Sequence, residues 1–395
     1  MTKLPKTWEV KTLGEVCESK NSNIILRNIE NNEGIYPIYG AKGIIKYIDF
    51  YEKENECIGV VKDGSVGKVF LLPKQSSVIG TMHYLECNQE VYIKYLFYFL
   101  HTINFNQYIS GSVIPHIYFR DYKKEKIPLP PIETQKQIVE ILESKFAKIE
   151  NATNALNLVK KDLVKLKASL LNSAFNGTLL QDNDLQALSH DDTASNLPRD
   201  WEVKTLGEVC EIITGSTPSK KNAEYYGNNY PFYKPTDLNN GYFVDSALDN
   251  VSLKGYEISR QLQSGSVLVT CIGATIGKTG LIRKEGICNQ QINAILPSDN
   301  FLPEFMYFYC ISPKFQELIK INASSTTLPI LNKNNFAKLP IPLPPVKTQK
   351  QIVEILESKF KAIEKLDYFV NDSLDKLSKL KASLLNKAFS GELVC

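Results

Sequence analysis

Apolar residues return at every seventh position through Leu142, Ile149, Leu156, Leu163 and Leu170, and again through Leu356, Ile363, Val370, Leu377 and Leu384. A second, partly filled row runs through Ile138, Ala152, Val159 and Leu166, and through Ile352, Leu366 and Leu380. Steps of three and four sustained over five heptads predict two long helices with a coiled-coil seam. At ~1.5 Å per residue each would span roughly 60 Å. Pro128, Pro130 and Pro131 precede the first helix, and Pro340, Pro342, Pro344 and Pro345 the second, while Gly177 and Gly391 stand where C-terminal caps belong. Such helices can pack on their own globular domains or pair with each other, and two matching seams favour pairing; if they pair antiparallel, the two globular inserts become related by an approximate two-fold axis.

Elsewhere the period shortens. Cys57–Val61 and Lys68–Leu72 read as strands around a Lys62–Gly67 turn, and Ser266–Ile272 and Lys278–Ile282 as strands around Gly273–Gly277. Aromatic helical stretches follow at Tyr92–Leu100 and Pro303–Ile311. Each such region is expected to be a compact α/β domain.

These elements are written twice. LPKTWEVKTLGEVCE at Leu4–Glu18 returns as LPRDWEVKTLGEVCE at Leu197–Glu211, and TQKQIVEILESKF at Thr134–Phe146 returns unchanged at Thr348–Phe360. LKASLLNSAFNG at Leu166–Gly177 becomes LKASLLNKAFSG at Leu380–Gly391. The offset is 193 at Trp8/Trp201 and 214 at Gln135/Gln349, so the 21-residue difference lies in the inserts Ser19–Lys126 and Ile212–Lys338, which share little. A fixed frame around changed inserts predicts one architecture with two recognition surfaces. Between the copies, the polar, aperiodic 181–196 reads as a flexible linker.

Charge does not announce a partner. The chain of 395 residues carries a net +3, and residues 1–132 hold 16 basic against 14 acidic side chains, residues 197–346 14 against 13. Any nucleic-acid contact must then come from local patches or from basic partner subunits. Cys17, Cys57, Cys87, Cys210, Cys271, Cys288, Cys310 and Cys395 form no C-x-x-C pair, which suits reduced thiols in the cytoplasm. No apolar run is long enough for a membrane span.

Catalytic chemistry finds little support. Gly273–Thr279 (GATIGKT) places three residues between its glycines where a phosphate-binding loop needs four. An amino methyltransferase would show an Asn/Asp-Pro-Pro-aromatic string, and Asn229-Tyr230-Pro231-Phe232 lacks the second proline. His83, His101, His116 and His190 leave the second insert without a histidine, and no acidic cluster recurs in matched positions. No metal site is expected. Polar and aromatic turn residues remain as candidates for reading DNA: Lys62, Ser65, Lys68, His83, Tyr84, His116, Tyr118 and Arg120 in the first insert, and Lys234, Thr236, Asp237, Lys278, Arg283, Asn289, Gln290, Gln291 and Asn293 in the second. Amides suit adenine's major-groove edge, and Arg or Lys suits guanine's; Lys68 and Lys278 are placed to reach a phosphate. The competing reading for each is an ordinary solvated turn.

The doubled arrangement resembles the specificity (S) subunit of type I restriction-modification systems. The strongest local matches are Ile127–Leu142, Ile341–Leu356, the TLGEVCE openings and Tyr230–Pro297, with its GSVLVTCIGATIGKTG and CNQQINAILP. The resemblance implies an α+β fold: two target recognition domains (1–132 and 197–346) and two long helices (133–180 and 347–395) forming an antiparallel coiled coil, with the linker 181–196 between. It further implies a non-catalytic subunit that binds double-stranded DNA, each domain reading one half of a split site, and helices that set the unread spacer and dock two methyltransferase subunits. S-adenosylmethionine, ATP and magnesium would belong to partner subunits, two restriction subunits among them. Other readings are a coiled-coil scaffold, a duplicated single-chain nuclease, and a silent recombination cassette.

Overall fold

A computed structural model describes residues 4–111, 113–180, 197–239, 242–324 and 328–394; the expected linker 181–196 lies outside them. The chain divides into two units, Met1–Leu158 with Val370–Cys395, and Val159–Phe369.

The first unit opens with strand β1 (Glu9–Thr12) and a single helical turn α1 (Leu13–Val16). Glu15 accepts from the Thr12 amide at 2.6 Å and the Thr12 hydroxyl at 2.7 Å. That reciprocal cap, with Leu13 and Val16 buried beneath it, explains the repeated TLGEV. Next come β2 (Cys17–Asn21), β3 (Tyr36–Gly40), β4 (Gly43–Ile48), β5 (Cys57–Val61), β6 (Val69–Leu72), β7 (Ser77–Val78) and β8 (Met82–Cys87). They form an antiparallel sheet ordered β2-β8-β5-β6 and a smaller one ordered β4-β3-β7. Helix α2 (Ile93–Leu100), the turn α3 (Phe119–Tyr122) and β9 (Lys126–Leu129), which pairs with β1, lead into the 44-residue helix α4 (Ile132–Phe175).

The second unit repeats the plan. β10 (Glu202–Thr205), α5 (Leu206–Val209) and β11 (Ile212–Thr214) open it, followed by β12 (Tyr226–Tyr233), β13 (Phe243–Val244), β14 (Asp249–Val251), α6 (Leu253–Glu257), β15 (Val267–Thr270), β16 (Thr279–Ile282), β17 (Ile287–Cys288) and β18 (Ile292–Ile295). Sheets ordered β11-β18-β15-β16-β13 and β14-β12-β17 result. Helices α7 (Pro303–Cys310), α8 (Pro313–Asn322) and α9 (Lys333–Ala337) and strand β19 (Pro340–Leu343) precede the 45-residue helix α10 (Val346–Ser390).

Each unit takes the start of one long helix and the end of the other, so the two run antiparallel. In the first, Ile138, Val139 and Leu142 of α4 share a core with Leu385, Ala388 and Phe389 of α10. In the second, Leu171, Ala174 and Phe175 of α4 share a core with Ile352, Val353 and Leu356 of α10. The helices thus both pair and pack on sheet domains. All ten residues of the first apolar row are buried or half-buried. The second row is less covered. Its first members Ile138 and Ile352 are buried, but Val159, Leu166, Leu366 and Leu380 are exposed, because the sheet domains cover only the helix ends.

A buried glutamine fixes where each long helix begins. The Gln135 side chain accepts from the Tyr92 amide at 2.8 Å and donates to Glu90 O and Pro130 O at 2.9 Å each. Gln349 accepts from the Leu302 amide at 2.9 Å and donates to Asn300 O at 3.0 Å and Pro344 O at 2.9 Å. Each amide thereby ties the loop that leads into α2 or α7 to the segment just before the long helix.

Candidate nucleic-acid interface

In both units the loops bearing most of the candidate residues meet at one end of the larger sheet. In the first, β2 and β5 end where β6 and β8 begin, with Asn21 opposite His83 and Val61 opposite Met82. Lys62 and Asp63 donate their amides to Thr81 O at 2.9 and 3.2 Å. In the second, Thr214 faces Asn293 and Thr270 faces Ile292. The Cys271 amide donates to Gln291 O at 2.7 Å, and the Ser216 amide to Cys288 O at 2.8 Å.

At the first pole Ser65 and Lys68 are exposed and Lys62 is half-buried. Lys62 Nζ donates to Asn21 Oδ1 at 3.1 Å and Lys68 Nζ to Ala41 O at 3.2 Å. His116 Nδ1 lies 2.6 Å from Asp63 Oδ1, and its ring stacks at 6.4 Å on that of Tyr118, which carries the Arg120 guanidinium 4.5 Å from its centroid. The result is a cationic and aromatic surface in a chain of little net charge.

The second pole is built from amides. Asn289 Nδ2 donates to Gln291 Oε1 at 2.9 Å, Gln290 is exposed and accepts from the Thr217 hydroxyl at 2.5 Å, and Lys278, whose backbone bonds Thr270, is half-buried. Thr236 is exposed; Lys234, just past β12, pairs with Asp249 and lies 5.0 Å from the Phe232 ring centroid.

Five candidates take other places. His83 and Tyr84 lie on β8, whose first four residues are buried, so neither faces solvent. His83 Nε2 is 2.5 Å from the Tyr122 hydroxyl, and burial pulls its pKa down to about 4. The Tyr84 hydroxyl donates to Glu52 at 2.6 Å and accepts from the Val78 amide at 2.8 Å. Asp237 is buried and accepts from the Lys234 amide at 2.7 Å and the Leu248 amide at 3.0 Å, holding its turn shut. Asn293 is buried between Thr214 and Leu331. These four hold the structure together; they do not line the surface. Arg283 is exposed but follows the far end of β16, where its guanidinium pairs with Asp245 and lies 4.4 Å from the Phe243 ring centroid.

The sequence reading missed Lys220 and Lys221, exposed on the segment that Ser216 and Thr217 tie to the second pole, and Lys42, exposed beside the Ala41 carbonyl that holds Lys68. The available signal was the pair of lysines directly after the turn formers of 215–219.

The GATIGKT turn is not a phosphate cradle. The Gly273 amide donates to Pro329 O at 2.9 Å, Ile276 to Gly273 O at 3.0 Å, Gly277 to Thr270 O at 2.8 Å and Lys278 to Thr275 O at 3.2 Å. The Thr279 hydroxyl is buried and donates to Gly277 O at 3.0 Å. Amides and a hydroxyl already bonded inside the turn are not offered to a nucleotide.

A doubled α+β frame with a different polar surface on each copy defines a protein of two domains built on one plan. The type I restriction modification DNA specificity domain family matches residues 5–161 and 198–367. The chain therefore belongs to the type I restriction-modification specificity subunits, the sequence-specific DNA-recognition components of these systems. It is 34% identical over 202 residues to the HindI specificity subunit of Haemophilus influenzae, a match covering 50% of this chain and 42% of that one. It is 22% identical to the EcoDI specificity subunit of Escherichia coli across 99% of this chain and 90% of that one. A solved chain of a type I R-M system superposes with a TM-score of 0.76 at 19% identity, covering 99% of this chain and 100% of that one, and so shares its fold. Among the described residues no helix is long and apolar enough to cross a membrane.

Proposed function

We propose that each unit reads one half of a bipartite double-stranded DNA site, and that the chain does so without performing chemistry itself. One observation carries this reading: a single frame presents cations and aromatics at one pole (Lys62, Lys68, Tyr118, Arg120) and amides with lysines at the other (Gln290, Gln291, Lys220, Lys278). Equal frames with unequal tips suit an asymmetric sequence. The rigid helices make the second half-site contact effectively intramolecular, so spacer length becomes part of the specificity.

The partners are two copies of one methyltransferase subunit, to which restriction subunits can be added. Surface positions identical in both copies support a shared partner, since packing does not require an exposed side chain to be retained. Lys136, Gln137, Glu140 and Ser144 recur as Lys350, Gln351, Glu354 and Ser358, all exposed. Leu166 and Leu380 are each 46% exposed. S-adenosylmethionine, ATP and magnesium are assigned to those partners. The test is methylation mapping of genomic DNA with and without this gene. Loss of methylation at one split motif supports the reading; an unchanged methylome rejects it.

A further inference from the structure

At both poles an aliphatic side chain stands in water between backbone positions that are hydrogen-bonded to each other. Val113 is 90% exposed, Ile114 55% and Leu328 53%. Ser110 and His116 exchange backbone hydrogen bonds of 2.9 and 2.8 Å, and Ser324 and Ile330 exchange bonds of 2.9 and 3.1 Å. The Ser110 hydroxyl reaches His116 O at 3.3 Å, and the Ser324 hydroxyl reaches Ile330 O at 3.0 Å. Each loop is also tied to the neighbouring turn. Gly64 donates its amide to Pro115 O at 2.9 Å and Gly273 to Pro329 O at 2.9 Å; Ile117 donates to Lys62 O at 2.9 Å and Leu331 to Cys271 O at 2.8 Å.

Ser110, Ile114 and Pro115 correspond to Ser324, Leu328 and Pro329 at the helices' offset of 214. The loop therefore belongs to the repeated frame, although it lies inside the inserts. Leaving such a side chain in water forgoes its burial on folding, about 0.8 kcal/mol per methylene. The described residues flanking each of these side chains are already tied by hydrogen bonds, so the exposed aliphatic group adds nothing to the fold, which points to a ligand surface that is itself apolar in spots.

We propose that Ile114 and Leu328 each contact the C5-methyl group of a thymine in the major groove, one in each half-site. This rests on the reading of bipartite DNA given above. In the major groove an A·T pair offers adenine N6 and N7 beside thymine O4 and its methyl, the only apolar group on the base edges. The second pole holds both complements close together: the Gln291 amide approaches the same Gly273 that anchors Pro329. At the first pole Ile114 stands beside the turn of Lys62 and Ser65, whose donors suit the flanking phosphates and bases.

The experiment uses the full complex and the site mapped by methylation. Binding is measured to three duplexes: the native site, and the same site with every thymine of one or the other half replaced by uracil, which differs only by the missing methyl. The wild-type complex should bind each uracil duplex roughly fourfold more weakly per contacted methyl, the equivalent of one buried carbon. Ile114→Ala should abolish the penalty in one half-site and keep it in the other; Leu328→Ala should do the reverse. The retained penalty shows that each variant is folded and bound. Equal binding of wild type to all three duplexes, or penalties unchanged in both variants, overturns the inference while leaving bipartite recognition intact. Absence of any split motif in the wild type removes both.

Discussion

The Lys381 ammonium lies 5.1 Å from the centroid of the Phe146 ring, joining the end of α10 to the start of α4. In the other unit Lys167 lies 5.5 Å from Phe360. Phe360 and Lys381 are the counterparts of Phe146 and Lys167 at the offset of 214, so the two contacts are one contact with its partners exchanged. The same exchange governs the aromatic cores. Phe389 meets Tyr95 edge-on at 5.0 Å, and Phe175 meets Tyr309 edge-on at 5.1 Å. Each sheet domain is closed by the helix end that the other copy supplies.

Gln135 should be among the most sensitive positions in the first unit. Gln135→Leu leaves the Tyr92 amide and two carbonyls without their partners beneath the helix start. A loss of about 2–4 kcal/mol is expected, since unsatisfied buried polar groups cost more than their bonds contribute. Urea denaturation of the full chain measures it. A loss below about 0.5 kcal/mol would show that the loop relaxes around the gap.

Gly177 and Gly391 both sit at φ +82°, and a side chain there meets more than backbone strain. An added Cβ would stand 2.3 Å from Pro198 Cδ at Gly177 and 2.6 Å from Pro5 Cδ at Gly391. Either glycine to alanine change should cost at least about 1 kcal/mol. Thermal melts of the single variants test this; an unchanged Tm for both would mean that the LPxxW opening is not packed on the helix end.

Stability should fall in mild acid because of His83. Its folded pKa of about 4 lies below the ordinary 6.5, as burial disfavours the charged ring. Between those values the unfolded chain binds a proton that the folded chain refuses, so lowering pH favours unfolding. The full effect, reached near pH 4, is about 3 kcal/mol, and above pH 6.5 it vanishes. Urea titrations of wild type and His83→Gln at pH 7.5 and 5 isolate it: the variant should lose less stability between the two. Equal losses would remove His83 as the cause.

The long helices, their capping glycines and the strands flanking each turn were legible in the sequence because each leaves a periodic or positional trace. The reading surface was only half legible. His83 and Tyr84 look like recognition residues in letters, but β8 is covered on both faces, and no alternation betrays that. Asp237 sits in a turn as expected and spends its carboxylate inside it. The offset of 214 reaches back past the helices to Tyr95 and Tyr309, through loops whose common frame is made of backbone hydrogen bonds. Backbone bonding tolerates almost any side chain, so letters alone show the inserts as unrelated. The second apolar row misled for a different reason: burial along these helices depends on where the sheet domains end.

Spacer choice should depend on matched helix lengths. Four residues inserted near Asn151 alone add about 6 Å and turn the rest of α4 by roughly 40° from its former facing. Phe146–Lys381 and Lys167–Phe360 could not then both form in straight helices. Seven residues added after Asn151 and seven after Lys365 keep both seams facing, and lengthen the pair by about 10 Å. At ~3.4 Å per base pair, the matched variant should prefer a spacer about three base pairs longer, with both half-sites unchanged. Methylation mapping in cells carrying the partner subunits reads this directly. A changed half-site sequence would show that the helices shape the reading poles as well as their separation, and an unchanged spacer would show that the helices do not set it.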